Sequence, residues 1–421
     1  MKKYSELYSY YKELIKSGQL RSGEKLPSVR KAADIHSVSK TTVQNAYFDL
    51  QADGYIISSP KSGYYVSEIN INNAAQIKSS ESKRAAVYNF KSGEADEEAF
   101  DLQLWQRYVK SAFRQHERLL SYGEVQGERD LREALSEYIR EKRNVIASPE
   151  RIVIGAGVQP LLAILCSIIK ERNTVSFPDK SFVQGAALFN DYNYKVNYRN
   201  KDADIIYVCP SHMTSYGDVM PIKRRLELIK HSKKRDSLII EDDFDSDFLY
   251  NKKPTPSLFA LSGGDNVIYM GSFSNVLIPG IRVSFMVLTE KLIKAFRNNI
   301  EKYAQTASKT EQIALCGYIR DGHIMAQTRR IRRHYTAKTR ILLNEIKKQL
   351  PEAKAEISEN GIQVKLEASF TGSTDTFSKN SVDVYIESCE NGTIKLALSP
   401  SSIKSESIGE AVSALKMCLV S

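Results

Sequence analysis

Apolar positions Tyr4, Leu7, Tyr8, Tyr11 and Leu14 recur at helical spacing and predict an opening amphipathic helix, with Gly18 and Gly23 ending it and starting a turn. Leu26-Pro27-Ser28 then offers a cap for a short helix over Val29 to Ile35, because the Ser28 hydroxyl can accept from an exposed first-turn amide. Ser39 caps a further helix over Lys40 to Gly54, whose Val43, Ala46, Tyr47 and Leu50 return every three or four residues. Two short β-rich runs, Tyr55 to Ser58 and Tyr64 to Val66, flank the turn Pro60-Lys61-Ser62-Gly63 and predict a hairpin with a glycine at its tip.

Three helices followed by a hairpin form a winged helix-turn-helix, predicted over residues 1–67. Residues 68–87 are polar, poor in large apolar side chains and without period, which predicts a linker. From residue 88 short β-rich runs alternate with amphipathic helices: Arg151 to Ile154, Thr174 to Phe177, Ile205 to Val208, Ser237 to Ile240, Val267 to Met270 and Val283 to Leu288. That alternation argues for an α/β domain with a mostly parallel sheet. Its large lobe spans about 88–290, and 291–421 adds long helices and a smaller α+β lobe containing Gln363 to Leu366 and Ile394 to Leu398. The predicted fold class is therefore multi-domain α/β.

Composition narrows the classes. The 421 residues are 42% hydrophobic and 26% charged, ordinary for globular proteins and unlike disordered, collagenous or disulfide-scaffold chains. The apolar run Leu161 to Ile169 falls far short of the roughly 20 residues that cross a bilayer, so a cytoplasmic protein without membrane contact is expected. Cys166, Cys209, Cys316, Cys389 and Cys418 are scattered and form no C-x-x-C pair, and the six histidines have no metal-ligand spacing, so no metal site is expected. A net charge of +10 favours polyanionic partners.

That charge has a local focus. Residues 1–67 hold ten basic and six acidic side chains, and the predicted reading helix begins with Lys40, Thr41, Thr42, Gln44 and Asn45, donors and acceptors suited to base edges and phosphates. The run from Ser17 to Val66, with L-P-S-x-R, S-x-x-T-V, A-Y-x-x-L, G-Y and S-G-x-Y-V, resembles the GntR-type winged helix. The resemblance implies operator DNA as partner, with Arg30 and Lys40 on phosphates or bases, Thr41 and Gln44 in the groove, and Gly63 letting the wing approach the minor groove.

Further motifs lie beyond residue 88. Gly155-Ala-Gly-Val-Gln159 follows a strand and opens a helix, an arrangement that offers amides and a helix dipole to a phosphate. Glu241-Asp242-Asp243 ends one strand, and Gly271-Ser-Phe-Ser-Asn275 with Arg282 follows the next. In this order they resemble the fold-type I pyridoxal-phosphate aminotransferases, and joined to the GntR-type unit they resemble the MocR regulators. The resemblance implies that Asp242 pairs with the pyridine nitrogen, that Ser272, Arg282 and the amides of Gly157 and Val158 hold the phosphate, and that Tyr122 reaches into a partner's pocket.

The departures from that pattern carry information. The family's lysine that links covalently to the cofactor is Asn275 here, and its usual tyrosine after the acidic run is Phe244. The ring-stacking aromatic aligns without gaps to Lys180, with Phe182 as substitute after a small shift, and the substrate-carboxylate arginine aligns to Lys395. The resulting reading is a transcriptional regulator whose aminotransferase-like domain forms a homodimer and senses a small ligand, an amino acid, an amine or a vitamin B6 form. Pyridoxal phosphate is not expected to bind covalently, nor the protein to transaminate. The alternatives are a working aminotransferase with an accessory DNA-binding domain, and a ligand-independent DNA-binding protein that uses the large domain as a dimerisation scaffold.

Overall fold

The computed structural model describes residues 3–60, 62–67, 87–91, 96–213, 218–243, 246 and 255–420. They divide into two units, Met1–Arg84 and Ala85–Ser421. All of the expected linker except residue 87 lies outside the described residues, as do Lys61 and Phe244.

The first unit runs helix Lys3–Lys16, helix Val29–Ile35, helix Lys40–Ala52, strand Ile56–Ser59 and strand Gly63–Val66. Both expected caps form: the Ser28 hydroxyl accepts from the Lys31 amide at 3.3 Å and the Ser39 hydroxyl from the Thr42 amide at 3.1 Å. Leu7, Tyr11 and Ile15 of the first helix pack on Val43, Ala46, Tyr47 and Leu50 of the third in one core. Tyr47 is fully buried, and its hydroxyl donates to the Pro27 carbonyl at 3.0 Å, so the one polar atom this ring brings into the core is satisfied. The two strands pair antiparallel from Ile56 opposite Val66 to Ser59 opposite Gly63. Gly63 therefore opens the second strand just beyond the turn, at φ +118°, a conformation that favours glycine.

The second unit is built on a seven-stranded sheet in the order Ile152–Gly155, Ser284–Val287, Val267–Ser272, Leu238–Asp242, Ile205–Val208, Thr174–Phe177, Lys195–Tyr198. Ser284–Val287 runs antiparallel to both neighbours and the other pairings are parallel. Continuous apolar runs such as Leu238–Ile240 are buried because both sheet faces carry cores, one beneath helices Arg129–Arg143 and Lys309–Arg320, the other beneath Val158–Ile168 and Glu290–Arg297. The edge strand Lys195–Tyr198 is absent from the sequence expectation. Its Lys-Val-Asn-Tyr is largely open to solvent and lacks the apolar run that marks its neighbours.

The smaller lobe has a four-stranded antiparallel sheet, Lys354–Ile357, Val364–Ser369, Thr393–Leu398, Tyr385–Glu390, whose core is closed by helix Ile408–Val420 and the end of the long helix His323–Gln349. No helix of the described residues is long and apolar enough to cross a membrane.

Candidate functional site

In the first unit the reading helix turns its buried stripe inward and leaves Lys40, Thr41, Gln44 and Asn45 exposed on the opposite side. Arg30 and Lys31 are exposed in the short helix before it. The reading helix thus presents donors and acceptors on its open face, as base-edge and phosphate contacts require.

In the second unit a cavity of about 700 Å³ opens at the C-terminal ends of the parallel strands, where open α/β sheets take ligands. One end is an anion cup. Gly157 stands at φ +92° just before helix Val158–Ile168, and a Cβ there would lie 2.4 Å from a guanidinium nitrogen of Arg282. Only glycine lets the guanidinium rest against this turn. Among the described residues Arg282 has no hydrogen-bond or ion-pair partner, so its donors face the cavity. Ser272 and Ser274 form the adjacent wall, their hydroxyls 3.2 Å apart. The Gly157 amide, expected to face a phosphate, instead donates to the Gly155 carbonyl at 3.0 Å, because the chain folds back tightly there. The helix contributes its first-turn amides from Val158 onward. Thr306, missed from sequence, accepts from the Ala156 amide at 2.9 Å and pins the turn from 150 residues away.

The middle of the cavity holds Asp242, at the end of its strand, which accepts a short hydrogen bond from the Tyr207 hydroxyl. Burial, and next the Asp242 charge, hold the Tyr207 phenol well above its usual range, so it stays a donor. Asp243 turns the other way: Arg143 donates to it at 2.6 and 2.9 Å and the Tyr269 hydroxyl at 2.7 Å, all out of solvent. Glu241 accepts from the Leu258 and Phe259 amides at 2.7 and 2.8 Å, and burial first, then the Asp243 charge, push its carboxyl up to about 7. The acidic run thus sends one carboxylate into the cavity and uses two to fix the strand end behind it.

Phe182 supplies the aromatic wall, its ring 5.3 Å from that of Tyr207. Gly185 makes this possible, since a Cβ there would lie 2.2 Å from the Phe182 ring. Lys180, the gapless alignment, is exposed, with its ammonium 5.8 Å from the centre of Tyr198. The far wall comes from the small lobe: Gln363, Tyr385 and Ala397, with Lys91 beside them. Gln363 is 5% exposed, and among the described residues its Oε1 has no partner. Lys395, aligned with the family's arginine, is exposed and 3.9 Å from Glu367. His212 also lines the cavity, with its Nδ1 3.5 Å from the Asn360 amide nitrogen.

Two expected site residues stand apart from this wall. Asn275 is half-buried in the turn after Ser274, and Tyr122 is fully exposed. A separate cluster, Asp96, Glu98 and His334, has metal-ligand spacing, but Asp96 already accepts from the Lys338 ammonium and from His334.

Residues 3–66 match the family described as bacterial regulatory proteins, gntR family, and residues 85–369 match aminotransferase class I and II. The chain is 32% identical over 372 residues to the uncharacterized HTH-type transcriptional regulator YdeL of Bacillus subtilis (strain 168), covering 83% of this chain and 80% of that one. It is 27% identical over 401 residues to the probable rhizopine catabolism regulatory protein MocR of Rhizobium meliloti, covering 87% and 81%. Among solved structures, an archaeal alanine:glyoxylate aminotransferase superposes with a TM-score of 0.70 at 20% identity over 83% of this chain and 94% of that one.

Proposed function

Since the chain belongs to the MocR-type transcriptional regulators, in which a gntR-family DNA-binding unit is joined to an aminotransferase class I and II domain, we propose that its large domain is a sensor that holds pyridoxal phosphate without a covalent bond. One observation carries this reading: a single cavity brings together the anion cup and Asp242 while residue 275 is asparagine. When bound, the cofactor supplies an aldehyde and an electron-withdrawing ring. Arg282, Ser272, Ser274 and the Val158 amide would hold its phosphate, Asp242 its ring nitrogen, and Phe182 a ring face. A carboxamide nitrogen has its lone pair delocalised into the carbonyl, so Asn275 neither adds to an aldehyde nor moves a proton as a base. The protein is therefore a regulator rather than a transaminase.

Arg30, Lys40, Thr41, Gln44 and Gly63 contact operator DNA in this reading. An effector, an amino acid, an amine or a vitamin B6 form, takes the space between the cup and the small-lobe wall. A ligand touching both walls favours the closed arrangement of the two lobes, which gives effector binding a conformational output. Phe113, Leu120 and Tyr122 are exposed within ten residues, apolar side chains that a second copy would cover, so the assembly is a homodimer.

The test is spectroscopic. Full-length protein saturated with pyridoxal phosphate should retain it through equilibrium dialysis yet release it after borohydride and denaturation. Asn275→Lys should gain visible absorbance and keep the cofactor fixed at position 275. Cofactor trapped by borohydride on the unsubstituted protein would defeat the proposal.

A further inference from the structure

The reading helix carries one side chain that its chemistry does not call for. Phe48 is 70% exposed, the most open large apolar side chain among the described residues of the first unit. The buried stripe of Val43, Ala46, Tyr47 and Leu50 already completes the core, and Phe48 takes no part in it. It lies seven residues after Thr41, four after Gln44 and three after Asn45, so all four share one helical face.

The distances suit a groove. At about 1.5 Å rise per residue, Thr41 and Phe48 are roughly 10 Å apart along the axis, within the ~12 Å width of the major groove. A benzyl group there meets one of two surfaces. Laid on a phosphate it would strip water from a charge and return no hydrogen bond, which is unfavourable. The apolar group that base edges present in this groove is the C5-methyl of thymine.

We propose that Phe48 is a specificity-determining residue that packs on a thymine methyl in each half-site of the operator, two turns along the helix from the polar contacts at its start. This rests on the assignment of the first unit as the DNA-reading unit and adds to it a base preference.

The probe is duplex DNA enriched by the full-length protein from a random library, with each thymine then replaced singly by deoxyuridine, which removes only the methyl. At one thymine per half-site the loss should be roughly fourfold, the worth of one buried methyl. F48A should bind the thymine duplex about as weakly and no longer distinguish thymine from deoxyuridine there. F48L should keep part of the distinction, and T41A all of it. The inference falls if F48A keeps full methyl sensitivity, if no thymine shows a methyl effect, or if F48A weakens both duplexes equally, the result expected of a contact with protein. Failure of the unsubstituted protein to enrich any sequence would instead overturn the DNA-reading assignment, and this inference with it.

Discussion

The two units solve opposite problems with the same kinds of residue. In the first, polar side chains close in sequence are displayed outward from a helix whose other side is locked into a core. In the second, Gly157 and, from 85 or more residues further on, Asp242, Ser272 and Arg282 converge inward on one cavity. A displayed site needs only a folded support, and its energetics lie in that core. A convergent site depends on register, because a shift of one residue in any strand turns a site residue to the other face.

The sharpest way to separate the two is to remove the support of the displayed site. Tyr47→Ala deletes a fully buried ring and its bond to Pro27, and should cost about 3–5 kcal/mol, comparable to the whole stability of so small a unit. Full-length protein should lose DNA binding in a gel-shift titration, and amides of residues 3–66 should lose hydrogen-exchange protection, while pyridoxal phosphate binding persists. Loss of both activities together would mean that the units are not energetically separate.

Arg282→Ala is the converse. Removing the guanidinium from the cup should weaken phosphate binding by about 2 kcal/mol, the scale of a hydrogen bond to a charged group. Equilibrium dialysis with pyridoxal phosphate reads the loss, and the melting temperature of the free protein should barely move.

A gentler effect comes from Glu241. Its carboxyl is raised from 4.5 to about 7, so in that window the native state binds more protons than the unfolded chain. Its contribution to stability is full below pH 4.5, declines as the pH rises to about 7 and is level above it. Thermal melts of the second unit should show this slope, and Glu241→Gln should flatten it. A slope unchanged in the variant would assign the titration elsewhere.

The comparison also explains what the sequence made legible. Helices, caps and hairpin of the first unit follow from contacts within a few tens of residues, and Ser28, Ser39 and the apolar stripe each announce their role locally. In the second unit the strand-helix turn at Gly157 and the acidic strand end were visible for the same reason. Tyr207, Thr306, Gln363 and Tyr385 were not, because what makes each important is a partner or a cavity wall far away in sequence. For the aromatic wall the gapless alignment falls on Lys180, and the structure favours the shifted alternative, Phe182. Gly185 was the available signal, since a glycine three residues beyond Phe182 leaves room for a ring to fold back. Of the acidic run, position alone did not tell which carboxylate enters the cavity; the burial of Arg143 and Tyr269 around Asp243 decides it.

The antiparallel strand Ser284–Val287 has a consequence in time. It is inserted between Ile152–Gly155 and Val267–Ser272, and Ser284 pairs with both Gly155 and Ser272. The cup therefore cannot close until residue 284 has been synthesised, and the small-lobe wall waits for Ala397. The winged unit is complete by Val66 and depends on local contacts, which form fastest. At about 5–20 residues per second, translation leaves roughly 10 to 45 seconds between the synthesis of Val66 and that of residue 284. Every newly made chain thus passes through a period in which its DNA-reading surface exists and its sensor does not.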